Sequence, residues 1–118
     1  FAHAGMLWSI GDSAAGYATL TLMGAEERVL TVEMKINLLS PAVGDSITAV
    51  GRVIRFGRNL CTSAAEIYAH GPKGTKHVAT MIGTTTRHPP KPADPAHRHK
   101  IRDRTCRTSS LLSFLFWR

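Results

Sequence analysis

Cysteine is scarce in this chain: Cys61 and Cys106 are the only two, and they fall in regions of different composition. That excludes a disulfide framework and any cysteine-based metal spacing, and makes a reduced, cytoplasmic setting the default expectation. Acidic residues are few as well, eight against fifteen Lys and Arg, for a formal net charge of +7. The surplus is not spread evenly. Residues 1–86 carry seven basic and six acidic side chains, whereas residues 87–118 carry eight and two. The basicity therefore belongs to the tail. Nucleic-acid binding fits the charge count, but it lacks a folded basic face and stacking aromatics, so no specific nucleic-acid partner is expected. No basic segment precedes the first apolar run and no initiating Met is present, so a secretory signal is not indicated.

Charge is scarcest at the start. Between Phe1 and Gly24 the only full charge is Asp12. Met6 to Met23 is just long enough for a membrane span, but Asp12 near its middle would cost roughly 2.5–3.5 kcal/mol on insertion. Gly11, Gly16, Ser9, Ser13, Thr19 and Thr21 dilute it further, so a buried core helix is expected and no membrane partner. That helix is predicted over residues 5 to about 23. Trp8, Leu7, Ile10, Ala14, Ala15, Ala18, Leu20 and Leu22 leave no polar stripe, so it should be wrapped. Gly24 is a fair stop. Gly11 and Gly16 each weaken the helix by about 1 kcal/mol relative to Ala; the return would be close approach by a strand, a second helix or a ligand.

The period then changes to two. Val32, Met34, Ile36 and Leu38 alternate with polar residues, predicting a half-buried strand over 31–38. Ser40–Asp45 is a loop punctuated by Pro41 and Gly44. Further strands are predicted over 46–56, 60–70 and 76–86, separated by Gly57-Arg58-Asn59 and Gly71-Pro72-Lys73-Gly74. Three consecutive strands on short turns imply an antiparallel meander. A buried helix followed by such a sheet is an α+β domain. Small residues at Ala49, Gly51, Ala64, Ala65 and Ala79 suit a sheet curving closely over a helix. The domain is thus expected over 1–86. Beyond it, the Pro-rich stretch from His88 to Pro95 and the basic run from His97 to Arg104 read as a disordered tail, 87–118. Its closing run, Leu111 to Trp117, matches no period. It fits either a partner-binding segment or a terminus outside the native reading frame.

Asp12 has Trp8, Ser9, Ala15 and Gly16 as helical neighbours and no cation nearby in sequence. In such company its charge is either disfavoured or supported by a group from elsewhere in the fold. At the helix start, Ala4 and Gly5 would let an oxyanion approach the unpaired N–H groups. From the residues alone, Asp12 and His3 fit a structural capping role as well as they fit chemistry.

The wording of the stretch goes further. His3-Ala4-Gly5 through Asp12 to Ala18 resembles the His-Gly-Gly to Asp segment of the PaaI-like acyl-CoA thioesterases, which have the hotdog fold. The resemblance continues through Thr31 to Ala42, Gly44, Gly51 to Arg58, and Val78 to Thr84. It covers roughly residues 1–86 and implies a long central helix wrapped by a curved antiparallel sheet, with the family's first strand lying before Phe1. It also implies that Asp12 acts as nucleophile or as general base for water. Backbone N–H groups at Ala4 and Gly5 would polarise the thioester carbonyl, with His3 shaping the loop. Ala4 stands where the family usually has Gly, which restricts φ but keeps the N–H. No metal or redox cofactor is implied; coenzyme A enters as part of the substrate.

Ala4 and Asp12 lie eight residues apart, about 12 Å along one helix. One thioester carbon cannot lie within roughly 3 Å of both. Donor and acid must then come from two chains, which implies self-association as a homodimer or dimer of dimers, as the family's dimers do. Lys35, Arg52, Arg55 and Arg58 are candidates for the phosphates of coenzyme A, Arg58 foremost. Ser13 and Asn37 are weaker candidates for acyl or pantetheine contacts. A hotdog domain that binds acyl-CoA without hydrolysing it is the alternative.

Overall fold

The structure, a computed structural model, describes residues 1–89. The expected disordered tail lies outside the described residues apart from its first three positions.

The helix α1 spans Ala4–Leu20. Its end comes earlier than the apolar run suggests. After Leu20 the backbone tightens into bonds over three residues, Leu22 N–H to Thr19 O and Met23 N–H to Leu20 O. Gly24 does not terminate the helix through a left-handed residue; its N–H donates instead to Glu27 Oε2 at 2.8 Å.

Four antiparallel strands follow: β1 (Arg28–Leu38), β2 (Ser46–Phe56), β3 (Leu60–Gly71) and β4 (Gly74–His88). They lie in the order β1-β4-β3-β2. The strands β2, β3 and β4 form the expected meander, and β1 closes the sheet on the far side of β4. The registers fix two faces. Ile36, Met81, Ala65 and Gly51 share a row facing α1, and Lys35, Ile82, Ala64 and Arg52 share the next row, on the outer face.

The core forms where α1 crosses the inner face, around Leu7, Ala15, Ala65, Ile67, Val78, Ala79 and Met81. Burial of a side chain such as Ile67 or Met81 contributes about 1.5–3 kcal/mol. The helix offers this core a stripe at four-residue spacing, Leu7, Gly11, Ala15 and Thr19. Close approach depends on missing side chains. A Cβ at Gly51 would run into the Ala14 carbonyl, and one at Gly11 into Met81. Gly16 meets nothing within 4 Å and has no such role within this chain. The sheet reaches round only part of the helix, so Met6 and Tyr17 stay nearly half exposed.

The strand β4 runs two residues past the expected domain boundary, where Arg87 is held through its backbone N–H and both terminal guanidinium nitrogens, though its buried Nε finds no acceptor among the described residues. Its N–H donates to Asn59 O, and its guanidinium donates to Glu27 Oε1 at 2.7 Å and to Gly57 O at 3.3 Å. The same group lies 4.5 Å from the centroid of Phe56. The Gly24 N–H, followed by Arg87, holds the Glu27 carboxyl below the usual carboxylate range.

Candidate active site

The first part of the site is the start of α1. His3 is the N-cap, extended at φ −69° and ψ 141°, and its Nδ1 accepts the Gly5 N–H at 3.0 Å. A ring accepting at Nδ1 carries its hydrogen on Nε2. The His3 carbonyl accepts from Met6 and Leu7. Among the described residues the Ala4 N–H finds no acceptor. The two expected donors therefore differ: Gly5 is engaged by the cap, and Ala4 is open. Both residues are exposed. Ala4 is also the first helical residue, a conformation that alanine adopts without strain.

The second part lies two turns along. Asp12 is half buried on the helix flank that faces β1, and its Oδ1 accepts from Thr31 Oγ1 at 2.8 Å. The support it needs from elsewhere in the fold is thus a hydroxyl. Thr31 sits just before the irregularity at Val32, where the β1–β4 register shifts. Trp8, one turn before Asp12 on the helix, is 38% exposed. Thr31 was not among the sequence candidates. Nineteen residues separate it from Asp12 in sequence, and its strand pattern marked it only as a polar position.

The other candidates scatter. Ser13 follows Asp12 on an exposed part of the helix. Ile36 packs against the core, so its neighbour Asn37 points to the outer face, beside its register partner Thr80. Lys35, Arg52 and Arg55 share that outer face, with the sheet between them and Asp12. Arg58 is exposed in the β2–β3 turn, at the same end of the sheet as Thr31 but across it. Among the described residues no three His, Cys, Asp or Glu side chains converge as a metal would require, and no helix is long and apolar enough to cross a membrane.

A cavity of about 320 Å³ opens beside the helix start, lined by Phe1 and Ala2 ahead of the helix, Ala4 and Leu7 of α1, Leu38 of β1 and the loop that follows it.

The model of the thioesterase superfamily matches residues 1–76. A thioesterase family protein of Silicibacter pomeroyi is 39% identical and superposes with a TM-score of 0.74, over 75% of this chain and 65% of that one. A Bacillus halodurans protein solved with coenzyme A, 21% identical, shares the fold with a TM-score of 0.68 over 73% of this chain and 58% of that one. A Saccharolobus solfataricus protein named as a candidate esterase is 34% identical over 79 residues, 66% of this chain and 56% of its own length. The chain thus spans less than two thirds of these relatives. One helix on a curved four-stranded antiparallel sheet, together with the family match over residues 1–76, shows that the chain has the hotdog fold and belongs to the thioesterase superfamily.

Proposed function

We propose that this protein hydrolyses acyl- or aryl-acyl-coenzyme A thioesters to the free acid and coenzyme A. The observation that carries the reading is one helix bearing both an anchored carboxylate, Asp12, and an open backbone N–H, at Ala4. The coenzyme A held by the Bacillus halodurans relative supports that substrate class.

The thioester carbonyl accepts from the Ala4 N–H, at the positive end of the helix dipole. Asp12 takes a proton from water as the water oxygen attacks the carbonyl carbon. The tetrahedral intermediate then collapses, the C–S bond breaks, and the thiolate of coenzyme A leaves and is protonated. In the variant route Asp12 attacks first, the C–S bond breaks and the coenzyme A thiolate leaves to give an anhydride, which water opens to the free acid and the restored Asp12 carboxylate. Thr31 holds the carboxylate in one orientation through its 2.8 Å hydrogen bond. The Gly5 N–H contributes in either route by fixing His3 and hence the cap that presents Ala4.

Eight residues of helix keep Ala4 and Asp12 of one chain about 12 Å apart. The working site therefore combines the helix start of one copy with Asp12 of another, and an isolated monomer is inactive. Ser13, exposed next to Asp12 on the helix, would touch substrate there. Contacts from Asn37, Lys35, Arg52 or Arg55 would have to be made on the outer face, and Arg58 would act from the turn.

The test is thiol release from a panel of thioesters. Asp12→Asn should lower kcat by about 10²–10⁴-fold. Equal turnover by the variant would sink the assigned mechanism, and tight acyl-CoA binding without turnover by the parent chain would replace hydrolysis with a binding role.

A further inference from the structure

The row of the sheet that holds Thr31 continues inward. Thr31 of β1 pairs with Thr85 of β4, and Thr85 pairs with Cys61 of β3. Residues directly opposite in an antiparallel pair share a face, with Cβ atoms about 4.5–5.5 Å apart. Thr31 reaches Asp12 on α1, so this is the inner face, and Thr85 and Cys61 are fully buried on it. Ser63, also fully buried, sits in the next inner row, opposite Gly83, with β4 between it and β1. Two of these buried hydroxyls, Thr85 Oγ1 and Ser63 Oγ, find no hydrogen-bond partner among the described residues. A buried O–H without an acceptor is destabilising, so each calls for one within reach.

Around Thr85 the choice is narrow. The Cys61 thiol is turned to Gly57 O, at 4.0 Å. The Thr31 hydroxyl has given its one hydrogen to Asp12 Oδ1 at 2.8 Å and keeps its lone pairs to accept. Between the two threonines the direction is therefore fixed: Thr85 donates and Thr31 accepts. We propose that Thr85 donates to Thr31, through a turn of its side chain or through one bridging water, and so is a positioning residue for Asp12. The chain Thr85 to Thr31 to Asp12 then runs one way and ends on a carboxylate, so each bond polarises and strengthens the next. Thr31 itself is exposed. Without a donor behind it, its hydroxyl is free to turn to solvent and release the carboxylate. Thr85 lies beyond residues 1–76, which the family model matches. Its effect on turnover rests on the thioesterase reading above; its effect on Thr31 does not.

The experiment pairs thiol release with the Thr31 side-chain rotamer, read by NMR from the couplings of its methyl carbon to the backbone. Thr85→Val keeps the shape of the side chain and removes the hydroxyl. It should lower kcat by about three- to tenfold with KM little changed, the range of one net hydrogen bond, while Thr31 passes from one rotamer to several. Thr85→Ala should give the same two readings, and Thr85→Ser should restore both. Ser63→Ala removes the other buried hydroxyl and should change neither. In a Thr31→Val background, Thr85→Val should lower kcat no further, because the chain is already cut. The proposal is overturned if Thr85→Val keeps kcat within about twofold, if Thr85→Ser is as impaired as Thr85→Val, or if the two losses multiply in the double variant. A parent that releases no thiol, with a Thr31 rotamer that follows Thr85, overturns the proposed reaction and leaves the hydroxyl chain standing. Thiol release with a Thr31 rotamer indifferent to Thr85 does the reverse.

Discussion

Replacing Ala4 with proline removes one N–H and no hydrogen bond that the helix uses. Ala4 is the first helical residue, where proline is well tolerated because that N–H has no intrahelical acceptor. The residue before a proline must be extended, and His3 already is, at φ −69° and ψ 141°. The His3–Gly5 cap does not involve the Ala4 nitrogen. The fold should therefore be unchanged, or stabilised by about 0.4–1 kcal/mol through a stiffer unfolded chain. Catalysis should not survive as well. Loss of one oxyanion donor costs about 10²–10³ in kcat, or about 2.7–4 kcal/mol of transition-state stabilisation. Thermal melting and thiol-release kinetics on Ala4→Pro and Ala4→Gly separate the two effects, since Ala4→Gly keeps the N–H and should keep the activity. If Ala4→Pro melts like the parent and retains kcat within about threefold, the donor is not Ala4 and the reasoning is refuted.

Thr31→Val removes the hydroxyl that orients Asp12, so kcat should fall by about tenfold with KM little changed, matching a hydrogen bond to a charged group of about 1.5 kcal/mol. Thr31→Ser should restore it; a Ser variant as impaired as Val would point to packing instead. Gly51→Ala places a methyl against the Ala14 carbonyl and should lower stability by about 1–3 kcal/mol, read as a lower urea midpoint. The depressed acidity of Glu27 has a definite sign in pH. Its ionised form is favoured in the folded state, so its contribution is present above the ordinary value of 4.5 and lost as pH falls through the lower folded value. The melting temperatures of the parent and Glu27→Gln should therefore differ at neutral pH, draw together as pH falls below 4.5 and converge once the lower folded value is passed, and a gap that stays undiminished through acid would count against the Gly24–Glu27–Arg87 clamp.

Local chemistry explains what could be read from the residues. Period two between Gly- and Pro-containing turns marks β2 at Ser46–Phe56 and β3 to within one residue, because a strand's pattern depends on alternate neighbours alone. The uncharged run with Asp12 marks α1, and glycines and alanines facing the helix mark a close-packed sheet. Tertiary structure decided the rest. Placing β1 beside β4 requires pairing Leu38 with Ala79, which no local preference contains. The irregularity at Val32 changes which side each residue takes, so the alternation put Val32 with Met34 and Ile36, yet Val32 is 57% exposed. The same register turns Asn37 away from the helix that carries Asp12. Asp12 itself was conspicuous as the one charge before Gly24, but its partner came from a strand nineteen residues on. The lone acid was visible from composition. Its hydrogen bond, and the separation of the open N–H at Ala4 from the engaged one at Gly5, exist only once the helix is capped by His3 and laid against β1.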